Sequence, residues 1–85
     1  MIHVNFYTKE NCTLCEEALV LLDMLKLDYP HTLELKDIYS NDEWLEKYHF
    51  SIPVIRVNDK ELNCEEISYE SVESLLKEAY NKRIT

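Results

Sequence analysis

The 85-residue sequence contains no glycine and only two prolines. Without glycine, every backbone position with positive φ must be taken by Asn, Asp or another residue with a side chain, or avoided altogether. Positive charge is also scarce, with nine Lys and Arg against seventeen Asp and Glu and a formal net charge of −8. That balance disfavours nucleic acid and anionic membrane surfaces, both of which repel such a chain over a Debye length. The opening residues Met1-Ile2-His3-Val4-Asn5 lack the basic region and long apolar core of a signal peptide, and no apolar run approaches bilayer-spanning length. A cytoplasmic protein without a membrane partner is the expectation. Repeats, linkers and low-complexity tracts are absent too, so residues 1–85 are expected to form a single domain around one core.

What is present suits a folded domain: 46% hydrophobic and 31% charged residues. Three cysteines occur, an odd number, and Cys12 and Cys15 lie only three apart. This pattern fits an intracellular redox or metal site better than a secreted disulfide framework.

Ile2, Val4 and Phe6 alternate with His3, Asn5 and Tyr7, the period of a first strand ending near Thr8. Asn11 is a candidate N-cap for a first helix over about residues 12–27, with Ala18, Leu19, Leu21, Leu22 and Leu25 on one stripe. Pro30 ends it. Residues 31–38 alternate again and predict an edge strand with Leu33 and Leu35 inward. Ser40 to Glu43 reads as a capping box opening a second helix, with Trp44, Leu45 and Tyr48 on one face and Phe50 packing beside them. The β-branched run Val54-Ile55-Arg56-Val57 is a third strand, and the Asn58-Asp59 turn folds residues 60–63 back as an antiparallel fourth. Ser68 caps a last helix with the stripe Tyr69, Val72, Leu75, Leu76 and Ala79.

The Cys-x-x-Cys therefore falls at the first strand-to-helix junction. Two cysteines at this spacing can close a disulfide, and they can equally hold a metal. A closed zinc site needs four ligands, and Cys64 with His3, His31 or His49 offers none of the usual local spacing. A redox site needs one exposed, activated thiol. Amide groups at the helix start and Lys9 favour the Cys12 anion, while Glu10, Glu16 and Glu17 oppose it across screening solvent. A non-catalytic module carrying a metal or iron-sulfur centre, or serving as an adaptor, is the alternative from these residues.

Phe6-Tyr7-Thr8-Lys9, then Cys12-Thr13-Leu14-Cys15, and much later Ser51-Ile52-Pro53-Val54 resemble the glutaredoxin branch of the thioredoxin superfamily, most of all its small bacterial glutaredoxin-like members. The resemblance covers nearly the whole chain in length and element order. It implies the thioredoxin fold, an α/β domain of order βαβαββα with a four-stranded mixed sheet flanked by three helices. It further implies a monomeric thiol-disulfide oxidoreductase with Cys12 as nucleophile and Cys15 as resolving thiol. Lys9, Thr13, Leu14, Ile52 and a cis Pro53 would then meet a protein or low-molecular-weight thiol substrate, with no bound cofactor or metal.

Glutathione would be the family's co-substrate, but two departures bear on it. Thr13 and Leu14 replace the usual proline and aromatic residue between the cysteines. Asn63-Cys64 stands where many glutaredoxins place Gly-Gly, and Glu65-Glu66 follows, so side chains and negative charge occupy the region of an anionic tripeptide. Cys64 is an auxiliary thiol at most.

Overall fold

A computed structural model describes the backbone of residues 2–84 and the side chains of residues 2–82. Ile2, Val4 and Phe6 are buried on one face of the first strand, β1 (Ile2–Thr8), and Tyr7 is buried on the other. A strand buried on both faces belongs inside a sheet. The helix α1 (Thr13–Leu25) then leads to β2 (His31–Asp37), which pairs with β1 in parallel, Ile2 opposite His31 and Thr8 opposite Asp37. One 3-10 turn, Ile38–Ser40, joins β2 to α2 (Asp42–Tyr48). The hairpin of β3 (Val54–Val57) and β4 (Lys60–Leu62) adds antiparallel to the other side of β1, and α3 (Tyr69–Ile84) closes the chain. The sheet order is β2-β1-β3-β4.

The main core lies between one face of the sheet and helices α1 and α3, where Phe6, Leu22, Leu25, Val57 and Leu76 meet. Each such side chain contributes about 1.5–3 kcal/mol when fully buried. Across the sheet, Tyr7, Ile38, Tyr48 and Val54 form a smaller cluster, with Trp44 and Leu45 against it. The α2 face therefore depends on aromatic rings: Tyr7 packs on Tyr48 at 4.4 Å between centroids and edge-on to Trp44 at 5.6 Å.

Several local expectations are corrected. Asn11 is not the N-cap of α1; it takes a φ of 56°, and Cys12 caps the helix instead. Ser40 does not cap α2, because its hydroxyl donates to the Asp37 carbonyl within the 3-10 turn. Asn41 takes the position and accepts from the amides of Glu43 and Trp44. Phe50 is 88% exposed, since α2 ends two residues earlier and the chain turns before Phe50 can reach the aromatic cluster. Tyr69 is 41% exposed at the first position of α3, while Val72, Leu75, Leu76 and Ala79 are buried. Leu33 and Leu35 are exposed by 41% and 58%, because no helix covers the outer strand on that side. Ser68 does cap α3, accepting from the Ser71 amide, and the Ser71 hydroxyl accepts from Ser68 in return.

Among the described residues, the two with positive φ are both asparagines, Asn11 and Asn58. Asn58 makes the β3–β4 turn, where only the first of the two turn residues needs the left-handed region. Replacing Asn58 with Ala should cost about 1 kcal/mol in a urea unfolding experiment, whereas Asn58→Gly should leave the midpoint unchanged or raise it.

Tyr48 donates to Glu61 Oε1 at 2.8 Å, and Arg56 Nη1 donates to the same oxygen at 2.7 Å. Burial pushes the Tyr48 phenol above its ordinary value, and its hydrogen bond to the Glu61 carboxylate adds to the rise. A group whose folded pKa is raised contributes stability that is complete below the unfolded value, about 10 for a phenol, and is lost as pH rises through the folded value. The native protein should therefore lose stability in a step above about pH 10, and Tyr48→Phe should shrink that step when urea midpoints are compared across the range.

Candidate redox site

β1 ends at Thr8 and leaves Lys9 and Glu10 exposed in a turn. The left-handed Asn11 reverses the chain, so that Cys12 is extended (φ −119°, ψ 105°) while the next residue is already helical. In that geometry the Cys12 sulfur stands over the open amides of the first turn. The Cys15 amide donates to Cys12 Sγ at 3.2 Å, and the Glu16 amide to the Cys12 carbonyl at 3.1 Å. A sulfur thus fills the role that Ser or Asp fills at other helix starts.

Cys12 and Cys15 are joined as a disulfide with Cα atoms 5.2 Å apart. Their environments differ. Cys15 is 2% exposed and belongs to the main core with Ala18 and Phe6, whereas Cys12 is half-buried at its margin. Cys12 is thus the more accessible of the two.

The Ile52–Pro53 peptide is cis, and Pro53 is buried at the start of β3, the neighbour of β1. Ile52 packs against the same core margin as Cys12. Just before it, the Ser51 carbonyl accepts from the Cys64 amide at 2.9 Å, so the segment after β4 lies alongside the proline loop. Asn63 organises that segment: its side-chain oxygen accepts from the amides of Glu65 and Glu66, and Glu66 Oε1 accepts from the Asn63 amide. A side chain here does locally what a glycine pair would leave open. Cys64 is a free, half-buried thiol.

On the opposite flank of the dithiol, toward β2, a groove of about 380 Å³ is lined by Lys9, Cys12, Cys15, Leu19, Leu35 and Asp37 among others. Of the residues anticipated as substrate contacts, Lys9 lines this groove. Ile52 and Pro53 sit on the β3 side, and Thr13 and Leu14 are exposed in the first turn of α1 outside the groove. Leu19, Leu35 and Asp37 were not anticipated from the sequence. The one sequence signal for Leu35 is its place on the apolar side of an edge strand.

The histidines do not converge on the cysteines. His3 meets Thr32 and Glu34, His31 Nδ1 lies 2.8 Å from the Tyr29 carbonyl, and His49 Nδ1 lies 3.0 Å from the Leu45 carbonyl. Among the described residues no three His, Cys, Asp or Glu side chains gather as a metal site would require. No helix among them is long and apolar enough to cross a membrane.

A four-stranded mixed sheet, three helices and a Cys-x-x-Cys disulfide at the first strand-to-helix junction define a thioredoxin-fold protein of α/β class. The chain belongs to the family described as the glutaredoxin-like domain (DUF836), whose model matches residues 3–79. Among solved structures it is similar to protein Ne2328 of Nitrosomonas europaea, at 26% identity and a TM-score of 0.74 over 87% of this chain and 89% of that one. It also shares its fold with the oxidised thioredoxin of Plasmodium falciparum, at 15% identity and a TM-score of 0.66 over 91% and 79%. Thioredoxin 1 of Thermosipho africanus aligns at 16% identity and a TM-score of 0.56 over 92% and 98%. No curated protein matches the chain in sequence.

Proposed function

We propose that the protein is a thiol-disulfide oxidoreductase that exchanges two electrons with a protein or small-molecule thiol through Cys12 and Cys15. The observation that carries this reading is the asymmetry of the pair: an accessible Cys12 sulfur supported by a helix amide, above a buried Cys15. In the reduced protein, the Cys12 thiolate attacks a substrate disulfide. A Cys12–substrate disulfide forms, the substrate bond breaks, and the departing sulfur takes a proton. Cys15, deprotonated in turn, attacks Cys12 Sγ, closes the intramolecular disulfide and releases the second substrate thiol. Two protein thiols become one disulfide as one substrate disulfide becomes two thiols. The reverse sequence oxidises a substrate dithiol.

The segment after β4 weighs against glutathione as the preferred partner. Asn63, Glu65 and Glu66 close it with their own hydrogen bonds, and the two glutamates add negative charge to a segment that lies alongside the Pro53 loop. The test is equilibration with defined dithiol/disulfide buffers, followed by alkylation and mass measurement. Reversible interconversion between one free thiol and three, with a two-electron slope, is the expected result. Irreversible reduction, or a reduced form that retains stoichiometric metal and does not reoxidise, would exclude it.

A further inference from the structure

We propose that the trough between β2 and α1 docks an extended polypeptide segment of the substrate, apolar where it crosses Leu19, Leu33 and Leu35 and basic beside its reacting cysteine. This rests on the redox reading above and names the substrate class for that site.

Register places the trough. Leu33 and Leu35 are the parallel partners of Val4 and Phe6 and leave the sheet on the same face. Val4 and Phe6 are fully buried there, yet the two leucines remain 41% and 58% exposed. β2 therefore projects past the flank of α1, with Leu19 of α1 as the facing wall. Leu19 is shared by two hollows. One, of about 380 Å³, contains both cysteines and Leu35; the other, of about 270 Å³, contains Leu33, His31 and Lys26. The apolar surface is thus continuous from the dithiol along the edge strand. Contiguous exposed apolar surface of this kind marks interaction sites.

Two further features select the occupant. β2 is an outer strand paired only with β1, and an outer strand offers backbone donors and acceptors to an extended segment laid beside it. The mouth of the trough carries Glu10, Glu16 and Asp37 against Lys9 alone, in a chain of net charge −8. A cationic segment is drawn to that mouth and an anionic one repelled. A small thiol fills neither the leucine wall nor the strand edge.

The test uses the reduced, full-length protein and three synthetic peptides, each with one cysteine held as a mixed disulfide with 2-mercaptoethanol. One peptide is apolar and basic, one apolar and acidic, one polar and neutral; bis(2-hydroxyethyl) disulfide is the small reference. Each reaction closes Cys12–Cys15 and frees two thiols, followed by alkylation and mass measurement. The basic peptide should react about tenfold faster than the acidic one, with the difference fading near about 0.5 M salt. Glu16→Lys should reduce or invert this preference. Leu33→Ser, at an exposed position away from the cysteines, should lower the ratio of basic-peptide rate to reference rate about fivefold. Equal rates for the basic and acidic peptides, or an unchanged ratio in Leu33→Ser, with the reference disulfide still reacting, would overturn the docking proposal alone. Failure of every disulfide to react would overturn the redox reading and the docking proposal with it.

Discussion

A Cys15→Ser variant should stop after the first chemical step and accumulate a covalent adduct on Cys12. Serine cannot attack the mixed disulfide, so the bond formed by Cys12 has no route to intramolecular resolution. Incubated with a substrate disulfide, the variant should gain the mass of one substrate thiol per chain, and reductant should remove it. Cys12→Ser should form no adduct and lose turnover by on the order of a thousandfold or more, because it removes the nucleophile itself. An adduct that mapped to Cys64 in Cys15→Ser, with none on Cys12, would reassign the site. The burial difference makes this a sharp prediction: with Cys15 at 2% exposure, an external thiol has far better access to the Cys12 sulfur.

Phe6→Ala should be the most damaging single change in the fold, costing about 3–5 kcal/mol by the transfer and cavity terms of a large buried aromatic. Small domains have only about 5–15 kcal/mol in total. The variant should therefore unfold at a much lower urea concentration, if it accumulates in folded form at all. Phe6 is fully buried on β1, with Leu35 and Ile55 as its strand partners, and shares the main core with Cys15. Its loss opens a cavity in the same core cluster that holds the buried cysteine. In a milder variant, Phe6→Leu, the cost should fall below about 2 kcal/mol and the dithiol should still cycle, which separates collapse of the fold from loss of chemistry.

Much of the fold was legible because the chain states its periods plainly. β1 alternates, α1 and α3 carry stripes at helical spacing, and Asn58-Asp59 marks a hairpin that forms as two residues between Val57 and Lys60. A strand-helix-strand unit makes β1 and β2 parallel neighbours under the right-handed crossover rule, and the hairpin then extends the sheet on the side of β1. Caps are less legible. Ser40, Asn41 and Asp42 are all competent N-caps, and which one acts depends on the 3-10 turn that brings the chain off β2, a feature with no periodic signal of its own. At Asn11 the same ambiguity had a functional outcome, since its left-handed backbone hands the cap to the Cys12 sulfur.

The sequence by itself determined the dithiol and its position at the start of a helix, because these follow from residue spacing and local alternation, and the resemblance carried by its motifs implied the class of fold around them. Tertiary structure alone decided which cysteine is buried, since that depends on the core cluster that Cys15 joins with Ala18, Leu22 and Phe6. It likewise decided that Leu33 and Leu35, identical in pattern to buried strand residues, stay open. Alternation tells which side of a strand a residue leaves from; only the lateral reach of α1 over the sheet tells whether anything stands there to cover it.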